Sequence, residues 1–172
     1  MVELGQSIQL NAFFFGSDPL EATFWSPDID CPDTTTLVCL NPIVAPTDTE
    51  VYSLTVFDTN GCSASDQIVV EVDVDRNVYI PNAFSPDNDG VNDYFVPFIG
   101  TGVTNVRSMQ VYDRWGELLF EKKDFMPTGE LDGWNGQFRN QQIPTGVYVY
   151  LIEVQFIDGI SLLYRGSVLA LY

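Results

Sequence analysis

Between Val147 and Tyr172 apolar and polar side chains alternate in two successive runs, and a period of two commits this stretch to paired strands rather than helix. On the first run Tyr148, Tyr150, Ile152, Val154 and Phe156 share one face, while Val147, Val149, Leu151, Glu153 and Gln155 share the other. Asp158-Gly159 then reads as a type I′ turn into Ser161 to Tyr172, where Leu162, Tyr164, Val168, Ala170 and Tyr172 fall together. A two-stranded ribbon of this length and aromatic content cannot stand alone in water, so it requires further strands to pack on.

Those strands are visible upstream. Ser7 to Phe15 opens with alternating polar and apolar residues, Thr23 to Ser26 stops at Pro27, and Val51 to Phe57 runs into the turn Asp58-Thr59-Asn60-Gly61 ahead of Gln67 to Val74. Farther on, Val106 to Tyr112 and Glu117 to Glu121 flank Asp113-Arg114-Trp115-Gly116, a hairpin turn in which glycine supplies the positive φ. With 13 Gly and 10 Pro in 172 residues and no long helical pattern, the expected fold is all-β. Two tandem antiparallel β-sandwich domains of the immunoglobulin-like kind are expected, residues 1–75 and 76–172, joined near Asp75-Arg76-Asn77.

Charge and composition exclude several functions. Seven Lys and Arg stand against 24 Asp and Glu, and a net charge of −17 repels a phosphate backbone, so no nucleic-acid partner is expected. The absence of histidine rules out Ser-His-Asp and Cys-His nucleophiles and the imidazole zinc sites. No apolar run reaches the ~18 residues of a membrane-spanning helix, so no transmembrane segment is expected. Glu3, Gln6, Ser7 and Gln9 interrupt what a signal peptide needs at the N-terminus, so an exported protein would carry this chain within a longer precursor. A monomer is expected.

Three cysteines, Cys31, Cys39 and Cys62, lie in the first half. In an oxidising compartment the expected disulfide is Cys31 with Cys39, across a Pro/Thr-rich loop, with Cys62 left over. Cys31–Cys62 and Cys39–Cys62 are the other pairings, and in a reducing compartment all three serve as small apolar residues.

The segment Pro81 to Phe95 places Asp87, Asp89, Asn92 and Asp93 around Gly90. Hard oxygen donors in a sharply curved turn are the combination that calcium sites use, which makes these four the candidate metal ligands. Set on an EF-hand with Gly90 at the glycine position, Ser85, Asp87 and Asp89 fit the first three ligand positions, but Val96 occupies the twelfth and excludes that motif. A loop of Asx turns, closed by local side-chain to backbone hydrogen bonds, is the competing account. Glu130 and Asp132 beside Trp134 suggest a glycosidase pair only if a cleft holds them at fixed separation, which neighbours in one Gly-rich turn do not establish. A core Trp134 beside a solvated acidic loop is the expected arrangement there; Trp115 and Trp134 are both expected in core or hairpin packing, with a sugar-binding surface as the alternative. Arg114 and Arg165 are expected to order nearby carboxylates, with recognition by a partner as the alternative.

Ordered motifs give these features a context. Tyr52-Ser53-Leu54-Thr55-Val56-Phe57-Asp58-Thr59-Asn60-Gly61-Cys62, with Trp25-Ser26-Pro27 ahead of a cysteine loop, resembles the PKD-like and related immunoglobulin-like repeats of bacterial surface proteins. In the second half Ile80-Pro81-Asn82-Ala83-Phe84-Ser85-Pro86, Asp89-Gly90-Val91-Asn92-Asp93-Tyr94-Phe95, Val111-Tyr112-Asp113-Arg114-Trp115-Gly116, Trp134-Asn135-Gly136 and Ile143-Pro144-Thr145-Gly146-Val147-Tyr148-Val149-Tyr150 follow in order. Together they resemble the gliding-motility-associated C-terminal domain, the type B sorting domain of the type IX secretion system. One departure is the ending Gly166 to Tyr172, where that family commonly closes with a threonine and a basic residue.

The resemblance implies a non-catalytic C-terminal signal, read by the type IX machinery at the outer membrane. It would deliver a secreted or cell-surface protein that has passed through the periplasm, with residues 1–75 as a spacer. The alternative is the terminal fragment of an adhesin or carbohydrate-binding surface protein.

Overall fold

The computed structural model describes residues 1–16, 18–31 and 37–172. Among these the chain is all-β, with sixteen strands and a single turn of 3-10 helix, Glu130–Asp132. They fall into two compact units, Met1–Asp75 and Arg76–Tyr172. Residues 32–36, within the loop expected between Cys31 and Cys39, lie outside the described residues.

In the first unit β3 (Leu20–Ser26), β5 (Glu50–Asp58) and β6 (Ser63–Val70) form an antiparallel sheet in the order β3-β5-β6. Alternation on β5 decides its faces: Tyr52, Leu54 and Val56 are buried while Val51, Ser53 and Thr55 are not. The pairs β2 (Ile8–Gln9) with β4 (Ile43–Val44) and β1 (Val2–Glu3) with β7 (Val72–Asp73) complete the unit. Val2, Leu10, Val44, Tyr52 and Val70 meet in one core, with Ile8, Trp25, Ile29 and Val72 packed on it, so all three sheets share a single interior.

Several boundaries differ from the sequence expectation. The run from Ser7 carries regular pairing only at Ile8–Gln9, although Leu10 and Ala12 still donate to the carbonyls of Pro42 and Leu40; Phe13 and Phe15 turn out to solvent. Conversely, β6 begins at Ser63, four residues before the start expected at Gln67, because the hairpin ladder continues whatever the side chains are. Cys31 and Cys39 are joined as a disulfide with a Cα–Cα distance of 6.1 Å, and Cys62 is free and exposed. Thr23 Oγ1 accepts from the Cys39 N–H at 2.7 Å and the Trp25 indole donates to the Cys39 carbonyl at 2.8 Å, which fastens the disulfide to β3.

The second unit is built on a five-stranded sheet ordered β12-β11-β15-β16-β9. Its members are β9 (Ala83–Phe84), β11 (Val103–Tyr112), β12 (Leu118–Phe125), β15 (Gly146–Phe156) and β16 (Ser161–Ala170). Two short antiparallel pairs accompany it, β8 (Val78–Tyr79) with β10 (Phe98–Ile99), and β13 (Gln137–Phe138) with β14 (Gln141–Gln142). Tyr148, Ile152, Val154 and Phe156 of β15 are buried with Val106, Met109 and Val111 of β11 and Val168 and Ala170 of β16. The face read from the β15 alternation is therefore the core face. Pairing is antiparallel except in β1 with β7 and β16 with β9, where two residues run parallel. Elements of two residues carry no period, so their direction had no signature in the sequence.

Over this sheet lies an aromatic cluster. Phe95 and Trp134, both fully buried, exchange backbone hydrogen bonds of 2.8 and 2.9 Å. The Trp134 ring lies 5.5 Å from those of Phe84 and Tyr148, and Phe95 lies 5.4 Å from Tyr150. Gly133 makes the approach feasible, since a Cβ there would sit 2.4 Å from the Phe95 carbonyl oxygen.

Three hairpins use one turn. The N–H of Gly61, Gly116 and Gly159 donates to the carbonyl three residues back, at Asp58, Asp113 and Phe156, and the residue accepting that bond donates its own N–H to Cys62, Glu117 or Ile160. Only the glycine has positive φ, at 82°, 83° and 83°, so each is a type I turn closed by a glycine bulge. The type I′ turn expected at Asp158-Gly159 is therefore corrected: type I′ needs two left-handed residues, and Asp158 is not one. Trp115, expected in core or hairpin packing, is 83% exposed at the tip.

Because Trp134 carries the cluster and closes on Phe95, Trp134→Ala is expected to destabilise the second unit by about 3–5 kcal/mol. A urea titration followed by near-ultraviolet circular dichroism measures it, and a midpoint equal to that of the parent would refute the role given to this side chain.

Candidate functional site

The loop Ser85 to Asp93 enters from β9 and returns to Phe95, so both ends are held by the aromatic cluster. Ser85 N–H donates to the Asn92 carbonyl at 2.9 Å and closes its neck. Left-handed backbone at Asn88, Gly90 and Asn92, with φ of 63°, 90° and 57°, curls the chain inside that neck. Asn, Asp and Gly tolerate that conformation, which is why the curl falls on these residues.

Carboxylates fill the concave side. Asp93, nearly buried, accepts the Asn88 N–H on Oδ1 at 2.6 Å and the Gly90 N–H on Oδ2 at 2.9 Å. Asp87 Oδ1 accepts from Asp89 N–H at 3.1 Å, and Asp89 Oδ1 accepts from Val91 N–H at 2.8 Å. The Asp87 and Asp89 bonds are Asx turns in series, while Asp93 reaches back to donors before it, so that each carboxylate takes backbone donors that no strand serves. One oxygen each from Asp87, Asp89 and Asp93 lie within 4.8 Å of one another, Asp87 and Asp89 being exposed. Of the four residues singled out from the sequence the structure thus gathers three carboxylates, while Asn92 serves through its backbone. Val96 is buried, in keeping with its exclusion as a ligand.

Glu130 and Asp132 do not form a cleft pair. Asp132 accepts from Lys122 Nζ at 2.8 Å, from Thr128 N–H at 2.9 Å and from Thr128 Oγ1 at 3.0 Å, and the Lys122 hydrogen bond leads in holding its carboxyl at a pKa of about 2. A carboxyl so depressed stays ionised and is unsuited to donating a proton to a leaving group. Trp134 is sealed in the core and donates its indole N–H to the Gln137 carbonyl at 2.9 Å, leaving no sugar-stacking face. A groove of about 540 Å³ in the first unit is lined largely by apolar residues, among them Leu10, Trp25, Tyr52 and Leu54, with Asp66 as the one carboxylate among the described residues that line it.

The arginines also differ from expectation. Among the described residues Arg114 and Arg165 form no ion pair; the pairs formed by arginine are Arg76 with Asp158 and Arg139 with Glu117. Arg114 lies 5.8 Å over the Trp115 ring instead. Arg76, which the sequence gave no reason to single out, is partly buried and also stacks on Phe156 at 5.3 Å.

What these pieces have in common emerges by comparison with known proteins. Residues 78–168, more than half of the chain and nearly all of the second unit, match the CHU_C type IX secretion signal domain. The chain belongs to that family. CHU_C membership makes the second unit a type IX secretion signal, and hence marks a secreted or surface protein that engages the secretion machinery. No helix of the described residues is long and apolar enough to cross a membrane. No curated protein matches the chain significantly. Among solved structures it is similar to the fibronectin(III)-like modules of Clostridium thermocellum CbhA, at 12% identity and a TM-score of 0.32 over 98% of this chain and 86% of that one. It is similar also to dimeric latent PorU from Porphyromonas gingivalis, at 12% identity and a TM-score of 0.34 over 99% of this chain and 19% of that one. Neither likeness is close enough to carry an argument.

The depressed Asp132 carboxyl sets an acid signature for this CHU_C domain. Its folded pKa of about 2 lies below the ordinary 3.8, so its contribution is present above pH ~4 and is lost as pH falls toward 2. Thermal melts of parent and Asp132→Asn are expected to differ at pH 6 and to converge by about pH 2; a constant difference over that range would assign the effect to packing.

Proposed function

We propose that residues 76–172 are a non-catalytic sorting domain that delivers an N-terminally joined cargo through the type IX machinery after transit through the periplasm. Residues 1–75 then act as a PKD-like, immunoglobulin-like spacer. The observation that carries the reading is the family match over the five-stranded sheet and its loops. Five of its carboxylates support it as well: Asp93, Asp87, Asp89, Asp113 and Asp132 are engaged in holding turns, which is structural rather than acid or base work. The surface, not a pocket, is what the machinery reads. The Cys31–Cys39 disulfide accords with an oxidising compartment on that route.

The test is a fusion of the whole chain behind a monomeric fluorescent reporter carrying a periplasmic leader, expressed in a bacterium with the type IX machinery and in a strain lacking it. Reporter on the surface or in the medium of the first strain alone is the expected result. Retention in the periplasm of both would refute the sorting role and favour an adhesin or carbohydrate-binding fragment.

For the Ser85 to Asp93 loop the accompanying proposal is a calcium ion held by Asp87, Asp89 and Asp93. Their clustered oxygens retain free lone pairs beyond the backbone bonds they accept, and hard oxygen donors suit that ion. Calcium added to chelator-treated protein is expected to raise the Tm by at least about 4 °C, with Asp89→Asn abolishing the shift. Identical melting with and without the ion would leave the Asx turns as the loop's whole purpose.

A further inference from the structure

We infer that the hairpin tip Arg114-Trp115 is a docking point through which a protein of the export machinery grips this domain. The inference rests on the sorting role proposed above. Asp58-Thr59-Asn60-Gly61 and Asp113-Arg114-Trp115-Gly116 are the same turn, atom for atom in their bonding. In each, one aspartate Oδ1 accepts two backbone N–H groups, those of Asn60 and Cys62 at 2.9 Å in the first and those of Trp115 and Glu117 at 2.8 Å in the second. In each, the closing glycine is left-handed, with φ of 82° and 83°. The aspartate and the glycine therefore do the structural work, and the middle two positions are free. One turn fills them with Thr59 and Asn60, the ordinary polar tip.

The other turn carries Arg114 and a tryptophan that is 83% exposed. This is the residue type with the most apolar surface, placed where the fold neither needs nor covers it. By contrast Trp25 and Trp134 each donate their indole N–H to a backbone carbonyl, at 2.8 and 2.9 Å. Trp115 instead meets the guanidinium of Arg114, 5.8 Å over its ring, on a turn fixed from below by Asp113. An aromatic side chain presented on a rigid turn has little conformational freedom left to lose on binding and buries ~150–250 Å² when it inserts. Tryptophan and arginine are also the residues in which binding energy concentrates at protein interfaces.

The chemistry of the partner follows. It presents an apolar pocket deep enough for an indole, with a hydrogen-bond acceptor at the mouth for Arg114. Around that pocket its surface is basic, to complement a chain of net charge −17. A second copy of the chain is the wrong occupant, since two such charges repel at long range. An anionic membrane surface is disfavoured for the same reason.

The reporter fusion of the whole chain tests this with three variants. Trp115→Ala, and the double exchange Arg114→Thr with Trp115→Asn that copies the first turn, are expected to lower the exported fraction about tenfold or more while leaving the Tm unchanged within about 1 °C. Trp115→Phe, which keeps an aromatic ring, is expected to retain a larger share of export than Trp115→Ala. Parent-level export of both Trp115→Ala and the double exchange overturns the docking role and leaves the sorting role intact. Loss of export with a lowered Tm overturns it in favour of a structural role for the side chain. If the unsubstituted fusion is itself retained, the sorting role falls and the docking role with it.

Discussion

The backbone exchange between Phe95 and Trp134 is the contact on which the second unit is organised. Each donates to the other's carbonyl, at 2.8 and 2.9 Å, and each buries its whole side chain. Trp134 follows the 3-10 turn Glu130–Asp132 after Gly133, and Phe95 follows the aspartate-rich loop, so one pair of bonds pins two irregular segments over the sheet. Irregular chain has few backbone partners of its own and depends on such anchorage. The cost of burying two polar backbones there is met by their mutual bonding, and the surrounding rings exclude the water that would compete.

A second theme is the use made of acidity. With so few cations in the chain, its carboxylates find their partners in backbone N–H groups. Asp58, Asp87, Asp89, Asp93, Asp113 and Asp158 each accept at least one, all in turns. An ionised acceptor makes a stronger bond than a neutral one and satisfies donors that sheet ladders leave behind. Such turns stay ordered without neutralising the surface, so the chain keeps its negative charge, of a sign that repels a phosphate backbone.

Much of this was legible from residue order. Alternation on β15 identified the core face through Tyr148, Ile152, Val154 and Phe156, because a period of two leaves no other way to bury them; on β16 the face read from the sequence is buried at Val168 and Ala170 but exposed at Leu162. Asn, Asp and Gly marked the curled loop at residues 85–93, since those residues accept left-handed backbone. The ends of β6 and the parallel partner of β16 were not legible, because ladder bonds join backbones and do not consult side chains. Asn92 was grouped with the carboxylates for its chemistry, yet its place in the loop is set by its φ and its carbonyl.

The two tryptophans of the second unit draw the line between the two sources of information. Each stands close before a glycine and beside an acidic turn, Trp115-Gly116 after Asp113 and Trp134-Asn135-Gly136 after Asp132. Local order determined where the hairpin turns fall, which long strands form and which family the motifs mark, because these follow from backbone preference and from side-chain period within a few residues. Only the tertiary structure decided that one indole is sealed between Phe84 and Tyr148 while the other stands in solvent. Burial is a property of what packs against a residue from distant parts of the chain, and no window of sequence contains that partner.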